Sequence, residues 1–418
     1  MERIRYIQAA DLHLDTPFCG LSRAGLPGAD LRDATFGALE NLAAVCEQEE
    51  PDFLLLAGDI YNQEERSVRA QLALRNLCER LARRNIRVFI VHGNHDPLKS
   101  RLATIEWPDN TVVFGPEPEA VRVVKAGSLA VIVHGISHAT DREGRNLAQL
   151  FSRVADEDCF QVGLLHCNVD GAVASDRYAP CSLADLLATG LDAWALGHAH
   201  AGKILSQQPF IAYSGNTQGL NPNETGPKGC YLVDARREDG VWICESRFIE
   251  LDQARWQESR IELDDVTSLE VLLDLLRECM DEAASSGRNT ILTINLTGRT
   301  TLDAELRKPD ALADLQRELA DYRDRRPAVW IRRINLRTSP RRSEAELLDR
   351  DDLLGETARL AKKLRDDPDA LGALAQAAFS PLYGARRSAP LPEAADTQDL
   401  KEILARALAL CQDALERR

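Results

Sequence analysis

Positive charge is in short supply along these 418 residues: 51 Lys and Arg stand against 66 Asp and Glu, a formal charge of -15. That balance opposes loose, charge-driven binding to nucleic acid or anionic lipid, so a polyanionic substrate would need a local basic patch, metal ions or a partner. Long apolar runs are missing too. No stretch approaches the ~18 residues of a membrane span, and "MERIRYIQAADLHLD" lacks the apolar core of a signal peptide, so no membrane association and a cytoplasmic location are expected. The ten cysteines include no C-x-x-C pair, which removes zinc-ribbon and thioredoxin-like readings. In a reducing cytosol they stay thiols, most of them small core residues such as Cys46 and Cys78. Histidine is absent after His200, which separates a chemical half of the chain from a supporting half.

Up to about residue 250, short apolar runs ("IRYIQAAD", "FLLLAGD", "VFIVHGNHD", "AVIVHG", "QVGLLH", "AWALGHAH") alternate with amphipathic stretches. Helices are expected at Thr35 to Glu49, at Glu65 to Asn85, and at "SLADLLATG", capped by Ser182 and ended by Gly190. The alternation predicts an α/β fold whose sheet is covered by helices, closed by a hairpin turning at "EDG". Residues 256–338 read as a second, smaller α/β unit, and residues 341–418 as helical. The helical part opens on a Ser343/Glu346 capping box and ends, after a Pro/Ala-rich spacer, in an amphipathic helix striped by Leu400, Ile403, Leu404, Leu408, Cys411 and Leu415. That stripe and spacer suggest a partner groove rather than packing within the domain. No internal repeat or long heptad run is present.

Five strand ends carry metal-ligating or proton-moving side chains: Asp11 with His13, Asp59, Asn94 with His95 and Asp96, His166, and His198 with His200. In extended backbone residues i and i+2 share a face, so Asp11 and His13 form one half-site, and His198 and His200 another. Loops leaving neighbouring strands of an α/β sheet meet at one rim, where such half-sites can combine. Asp11, His13, Asp59, Asn94, His166, His198 and His200 are seven nitrogen and oxygen donors without a thiolate. They suit manganese, iron or zinc, and exceed the four ligands of a closed single-ion site. Two divalent ions sharing a carboxylate is the economical reading. Such a pair can stabilise both oxygens of a phosphoryl displacement and activate a water. His95 then remains to protonate the leaving oxygen or steady the transition state, and Asp96 to orient it, while Gly93 relieves the turn.

The set D-x-H, G-D, G-N-H-D, H and G-H-x-H resembles the signature of the calcineurin-like metallophosphoesterases. Within them the chain looks like the SbcD/Mre-type DNA repair exonucleases, and most like the bacterial YhaO-type branch, on residues 178–230 ("YAPCSLADLLATGLDAWALGHAH" to "YSGNTQGLNPNETGPKGC"). The resemblance implies a four-layer α-β-β-α sandwich at 1–250, a capping domain at 256–338 and a helical partner-binding region at 341–418. It implies a first ion on Asp11, His13, Asp59 and His200, a second on Asp59, Asn94, His166 and His198, and His95 as the catalytic histidine. It further implies manganese as the ion, DNA as substrate, and an SMC-like coiled-coil ATPase of the SbcC/YhaN kind docked on the C-terminal helices, with a homodimer through the nuclease domain. Asn62 replaces a His or Asp found in some relatives, and Leu220, Ala201 and Gly202 stand where basic residues are expected.

Other residues have plainer readings. His92 and His134 end buried runs and are read as structural; His138 is a weaker candidate for lining the cleft. Segment Tyr213 to Asn216 is either a phosphate rim or a strand end. The cluster Arg325, Arg326, Arg332, Arg333, Arg337, Arg341 and Arg342 is either a duplex-contacting patch or a solvated face paired with the chain's acids. A phosphatase or cyclic-nucleotide phosphodiesterase acting on small substrates, or a weakly active scaffold, are the competing functions.

Overall fold

A computed structural model describes residues 3–19, 31, 33–62, 67–100, 105–125, 127–170, 178–342, 344–384 and 397–416. Strands β1 (Arg3–Ala9), β2 (Phe53–Ala57), β3 (Arg87–Val91) and β4 (Thr111–Val113) come first. Then follow β5 (Glu119–Lys125), β6 (Ser128–Ile136), β7 (Phe160–His166), β8 (Ala193–Gly197), β9 (Lys203–Gln207) and β10 (Phe210–Tyr213). The hairpin of β11 (Gly229–Glu238) and β12 (Val241–Glu250) turns on Asp239 and Gly240, both at positive φ, as a tight two-residue hairpin requires.

These strands make two six-stranded sheets, ordered β12-β11-β1-β2-β3-β4 and β5-β6-β7-β8-β10-β9. β1 to β4 are mutually parallel, as are β6, β7, β8 and β10. The facing sheets bury Tyr6, Phe53, Phe89, Val133, Phe160, Val162, Ala195 and Phe210 between them. Because both faces of the central strands are covered, β2, "FLLLA", is buried at all five positions instead of alternating.

Helices α1 (Ala34–Glu49) and α2 (Val68–Ala82) cover the outer face of the first sheet. Leu39, Leu42, Ala43 and Cys46 give α1 its apolar stripe, packed on Ile7, Leu54, Leu56 and Ile90. α2 starts on Ser67, whose Oγ accepts from Ala70 N at 3.0 Å; the earlier start expected at Glu65 lies outside the described residues. Over the second sheet lie the 3-10 turn Leu147–Leu150 and α3 (Leu183–Ala188), packed on Leu165, Trp194, Leu196 and Ile211. Ser182 and Asp185 form a capping box on α3, and Gly190 follows its end at φ +72°. The four layers are the α-β-β-α sandwich anticipated from the sequence.

Beyond it, β13 (Ala254–Glu262), β14 (Asn289–Thr300) and β15 (Val329–Pro340) form a three-stranded sheet, accompanied by α4 (Leu269–Ala284), α5 (Asp303–Leu306) and α6 (Ala311–Glu318). The chain divides into two compact units. One comprises Met1–Ser259, Arg277–Ile294 and Gln316–Ile334; it contains both large sheets and a small cluster of Trp256, Ile291, Ala328 and Trp330. The other comprises Arg260–Leu276, Asn295–Leu315 and Asn335–Arg418. It contains α7 (Glu344–Leu348), α8 (Leu353–Asp366), α9 (Pro368–Gly384) and α10 (Thr397–Glu416). α10 packs against α8 and α9, while Ile403, Leu410 and Cys411 remain exposed on it. Ser343, half of the expected capping box, and most of the Pro/Ala-rich spacer lie outside the described residues. Among the described residues no helix is long and apolar enough to cross a membrane.

Candidate metal centre

The C-terminal ends of the parallel strands in both sheets converge, and the polar strand ends meet there. β1 leads into Asp11 and His13, β2 into Asp59, β3 into Asn94 and His95; β7 ends on His166, and β8 leads into His198 and His200. The two half-sites are not extended backbone, contrary to expectation. β1 stops at Ala9, and Asp11 (φ 51°), His13 (φ 42°), Asp59 (φ 49°) and His198 (φ 106°) all lie in the left-handed region. Tertiary hydrogen bonds hold them there: Asp11 N to Gly58 O at 3.0 Å, His13 N to Asp59 O at 3.1 Å, and His198 N to the Asp11 carboxylate at 3.1 Å. Backbone strain concentrated on side chains of one chemical kind is a mark of a functional site.

Two groups of ligating atoms result, each lying within 4.8 Å: Asp11, His13 and His200, and Asp11, Asp59 and His166. His13 Nε2 is 3.2 Å from His200 Nε2, and Asn94 Oδ1 is 3.0 Å from His166 Nε2. His166 Nε2 is 3.3 Å from Asp59 Oδ2, with its Nδ1 tied to Ala57 O at 2.9 Å. Asp11, not Asp59, belongs to both groups. His198 belongs to neither, its ring packing against His166 and Tyr178 with centroids 5.4 and 5.5 Å apart.

Glycines make the close approach possible. A Cβ on Gly93 would lie 2.2 Å from Asp59 Oδ1, and one on Gly197 1.8 Å from Ala57 O. The turn at Gly93 therefore needs space next to Asp59 rather than a positive φ.

The electrostatics are those of a centre short of positive charge. Burial pushes Asp11 up to about 6 and holds His13 and His198 down to about 4. Burial also opposes charge on Asp59 and His166, but each overrides it for the other, lowering the carboxylate and raising the imidazole. No Lys or Arg bonds to Asp11 or Asp59 among the described residues. Two nearly inaccessible carboxylates facing imidazole nitrogens thus fit divalent cations, with hard oxygen donors beside neutral nitrogens.

His95 is exposed at the edge of this cluster, its ring 5.2 Å from that of His13. Its backbone N–H donates to Asp59 Oδ1 at 2.9 Å, and its Nδ1 lies 3.3 Å from Asn62 Oδ1. Asp96 does not orient it, contrary to expectation. The Asp96 carboxylate is fully buried and accepts from Ile60 N (2.9 Å) and Gly93 N (2.8 Å), with His92 Nδ1 at 3.0 Å. The two side chains face opposite ways, so the acid braces the loop from inside and Asn62 is the group on His95.

His92 and His134 are buried and bonded, His134 Nε2 to Gln161 Oε1 at 3.0 Å. His138 is buried behind the centre, with Nε2 on His166 O at 2.7 Å, and so does not line a cleft. Tyr213 is a strand end whose hydroxyl donates to Cys167 O at 2.8 Å. Within the arginine cluster, Arg325 pairs with Asp281 (3.0 Å) and Asp321 (2.9 Å), and Arg341 donates to Asp264 O at 2.6 Å; Arg333 and Arg337 are exposed. Sequence reasoning missed Glu224, whose Oε1 lies 2.7 Å from His200 Nδ1; an acid in a polar loop without periodicity gives no signal.

Comparison with known proteins agrees with this architecture. Residues 4–202 match the calcineurin-like phosphoesterase family, and residues 256–339 match the middle domain of the YhaO metallophosphoesterase. The chain belongs to the calcineurin-like metallophosphoesterases. It is 31% identical over 358 residues to the uncharacterized metallophosphoesterase YhaO of Bacillus subtilis (strain 168), covering 84% of this chain and 85% of that one. A further relative, the DNA double-strand break repair protein Mre11 of Aeropyrum pernix, is 28% identical over 242 residues, or 54% and 57% of the two chains. Among solved structures, a dimetal phosphatase from Danio rerio is 12% identical over 59% of this chain and 97% of its own, at a TM-score of 0.34. The protein is thus a metal-dependent phosphoesterase by family.

Proposed function

We propose that the protein hydrolyses phosphodiester bonds of DNA as a manganese-dependent exonuclease. The observation that carries the reading is an exposed His95 standing over buried acid and imidazole clusters, since a histidine unneeded for metal binding is what a leaving group requires. The Asp11, His13 and His200 group would hold one ion and the Asp11, Asp59 and His166 group, with Asn94 beside it, the other, while Asp59 as the shared carboxylate and His198 as a ligand rest on the family resemblance. When bound, the ions supply Lewis-acid stabilisation of phosphate charge and a water of lowered pKa. His95 gives its proton to the departing ester oxygen. Asn62 Oδ1 accepts from His95 Nδ1–H and sets the ring's direction, while Asp96 keeps the 93–96 turn in place.

DNA as substrate is supported by the similarity to Mre11 over about half the chain. The formal charge of -15 argues that grip on the duplex comes from elsewhere, and an SMC-like ATPase docked on the C-terminal helices would supply it. Exposed Ile403, Leu410 and Cys411 on α10 are the surface we assign to that partner, and a cytoplasmic homodimer is the form in which we expect it to act. A small-phosphodiester substrate is the second reading, favoured by Arg325 and Arg341 being already engaged with acids or carbonyls rather than held for phosphate.

The test is a linear duplex labelled at its 3′ or 5′ end, incubated with manganese, magnesium or chelator. Manganese-dependent release of nucleotides from one end, lost in His95→Ala, supports the exonuclease. Intact DNA beside cleavage of a small chromogenic phosphodiester, with and without the ATPase, would instead establish the small-substrate reading.

A further inference from the structure

We propose that Glu224 is a positioning residue of the metal centre: its carboxylate fixes the tautomer and direction of His200 and thereby sets the affinity for one of the two ions. The inference rests on the metal reading above and names a group outside the family's ligand motifs.

The geometry begins at His200. Its Nδ1 lies 2.7 Å from Glu224 Oε1. A carboxylate only accepts, so Nδ1 carries the hydrogen, and in the neutral ring Nε2 keeps its lone pair. That Nε2 is 3.2 Å from His13 Nε2 and 4.0 Å from Asp11 Oδ1, so the lone pair belongs to the Asp11, His13 and His200 group. Of the two neutral tautomers, Glu224 therefore selects the one that ligates through Nε2.

Glu224 is held as firmly as it holds. Its Oε1 also accepts from Asn221 Nδ2, and its Oε2 accepts from Leu220 N at 2.7 Å and Asn216 Nδ2 at 2.9 Å. Donors thus face both oxygens. A glutamine could not substitute quietly, because in either orientation its NH2 would meet two donors. The loop carrying Glu224 is fastened at both ends. Lys228 Nζ donates to His200 O at 2.9 Å, and Gly215 leaves no room for a Cβ, which would fall 2.7 Å from Gly202 N. At the far side Trp256 Nε1 donates to Gly219 O at 3.1 Å and Gly226 N to Trp256 O at 3.0 Å, while Gln218 Oε1 accepts from Gln253 N at 2.8 Å. Such an arrangement fixes a ring direction; it has no other visible use for four donors on one acid.

The test is calorimetric titration of the metal-stripped full chain with manganese, comparing wild type, Glu224→Gln and Glu224→Asp, with circular dichroism to verify folding. Wild type should take up two ions. Glu224→Gln should lose about 10- to 100-fold in affinity for one ion and keep the other unchanged, as loss of an outer carboxylate on a ligating histidine typically does. Glu224→Asp, which restores the charge, should recover part of that loss; if the glutamine variant does not fold, a selective weakening at one ion in Glu224→Asp carries the same support. Superposable isotherms for the folded variants and wild type would overturn the inference while leaving the metal centre standing. A wild type that binds no divalent ion would overturn the metal reading, and this inference with it.

Discussion

His95 and Asp96 are neighbours with opposite fates, and replacing each in turn separates them. In Asp96→Asn the fully buried carboxylate that accepts from Ile60 N and Gly93 N, and that meets His92 Nδ1, becomes an amide with one oxygen. Hydrogen bonds to a charged group contribute about 1.5–3 kcal/mol each, and a buried donor left unmet costs about 1–3 kcal/mol. Losing one such bond, with a donor then facing the new NH2, gives a loss of about 3 kcal/mol. That is a large share of the ~5–15 kcal/mol that stabilises a typical domain. His95 is exposed, and among the described residues it is tied to the buried acids by its backbone N–H, which any residue supplies. His95→Asn should therefore leave stability within about 0.5 kcal/mol of wild type. Equilibrium urea unfolding followed by tryptophan fluorescence at saturating manganese reads both. A shift below about 0.5 kcal/mol in Asp96→Asn, together with a collapse of turnover, would refute the bracing role and return Asp96 to the chemistry.

Other consequences follow from the same geometry. His95→Ala should reduce kcat by about 10²- to 10⁴-fold with manganese binding unchanged, read by turnover beside calorimetry. Gly197→Ala forces a methyl to within 1.8 Å of Ala57 O and should cost about 3 kcal/mol of stability in thermal unfolding. Burial holds His138 down to about 4, so the unfolded chain binds the extra proton between that value and its ordinary ~6.5. Stability then rises with pH through this window and falls as acid is added, by up to about 3 kcal/mol from this residue; His138→Gln should flatten that limb of the stability–pH curve. Chelation should lower the thermal midpoint, because ions that bind the folded chain and not the unfolded one stabilise it by mass action.

The sandwich was legible because its strands are short apolar runs ending in polar residues, α1 carries an apolar stripe and α3 a capping box. Membership of the centre was legible for Asp11, His13, Asp59, Asn94, His166 and His200, which sit at strand ends that converge. What stayed hidden depends on contacts distant in sequence. The left-handed conformation of Asp11, His13, Asp59 and His198 is held by hydrogen bonds across strands, and local preference alone makes it uncommon in non-glycine residues, Asp and His included. Asp96 read as a partner of His95 because it is adjacent; only the turn shows its carboxylate directed inward. Glu224 is hidden for the same reason as Gln218: their partners lie on His200 and on the 253–254 backbone, and nothing in the local pattern names them.

The most direct test of the central claim is hydrolysis of bis(p-nitrophenyl) phosphate by the metal-stripped chain reconstituted with manganese, beside His95→Ala at equal metal occupancy. Turnover should depend on manganese, be abolished by chelator, and fall at least a hundredfold in the variant. Equal rates for wild type and His95→Ala at two bound ions, or turnover that survives chelation, would contradict that claim.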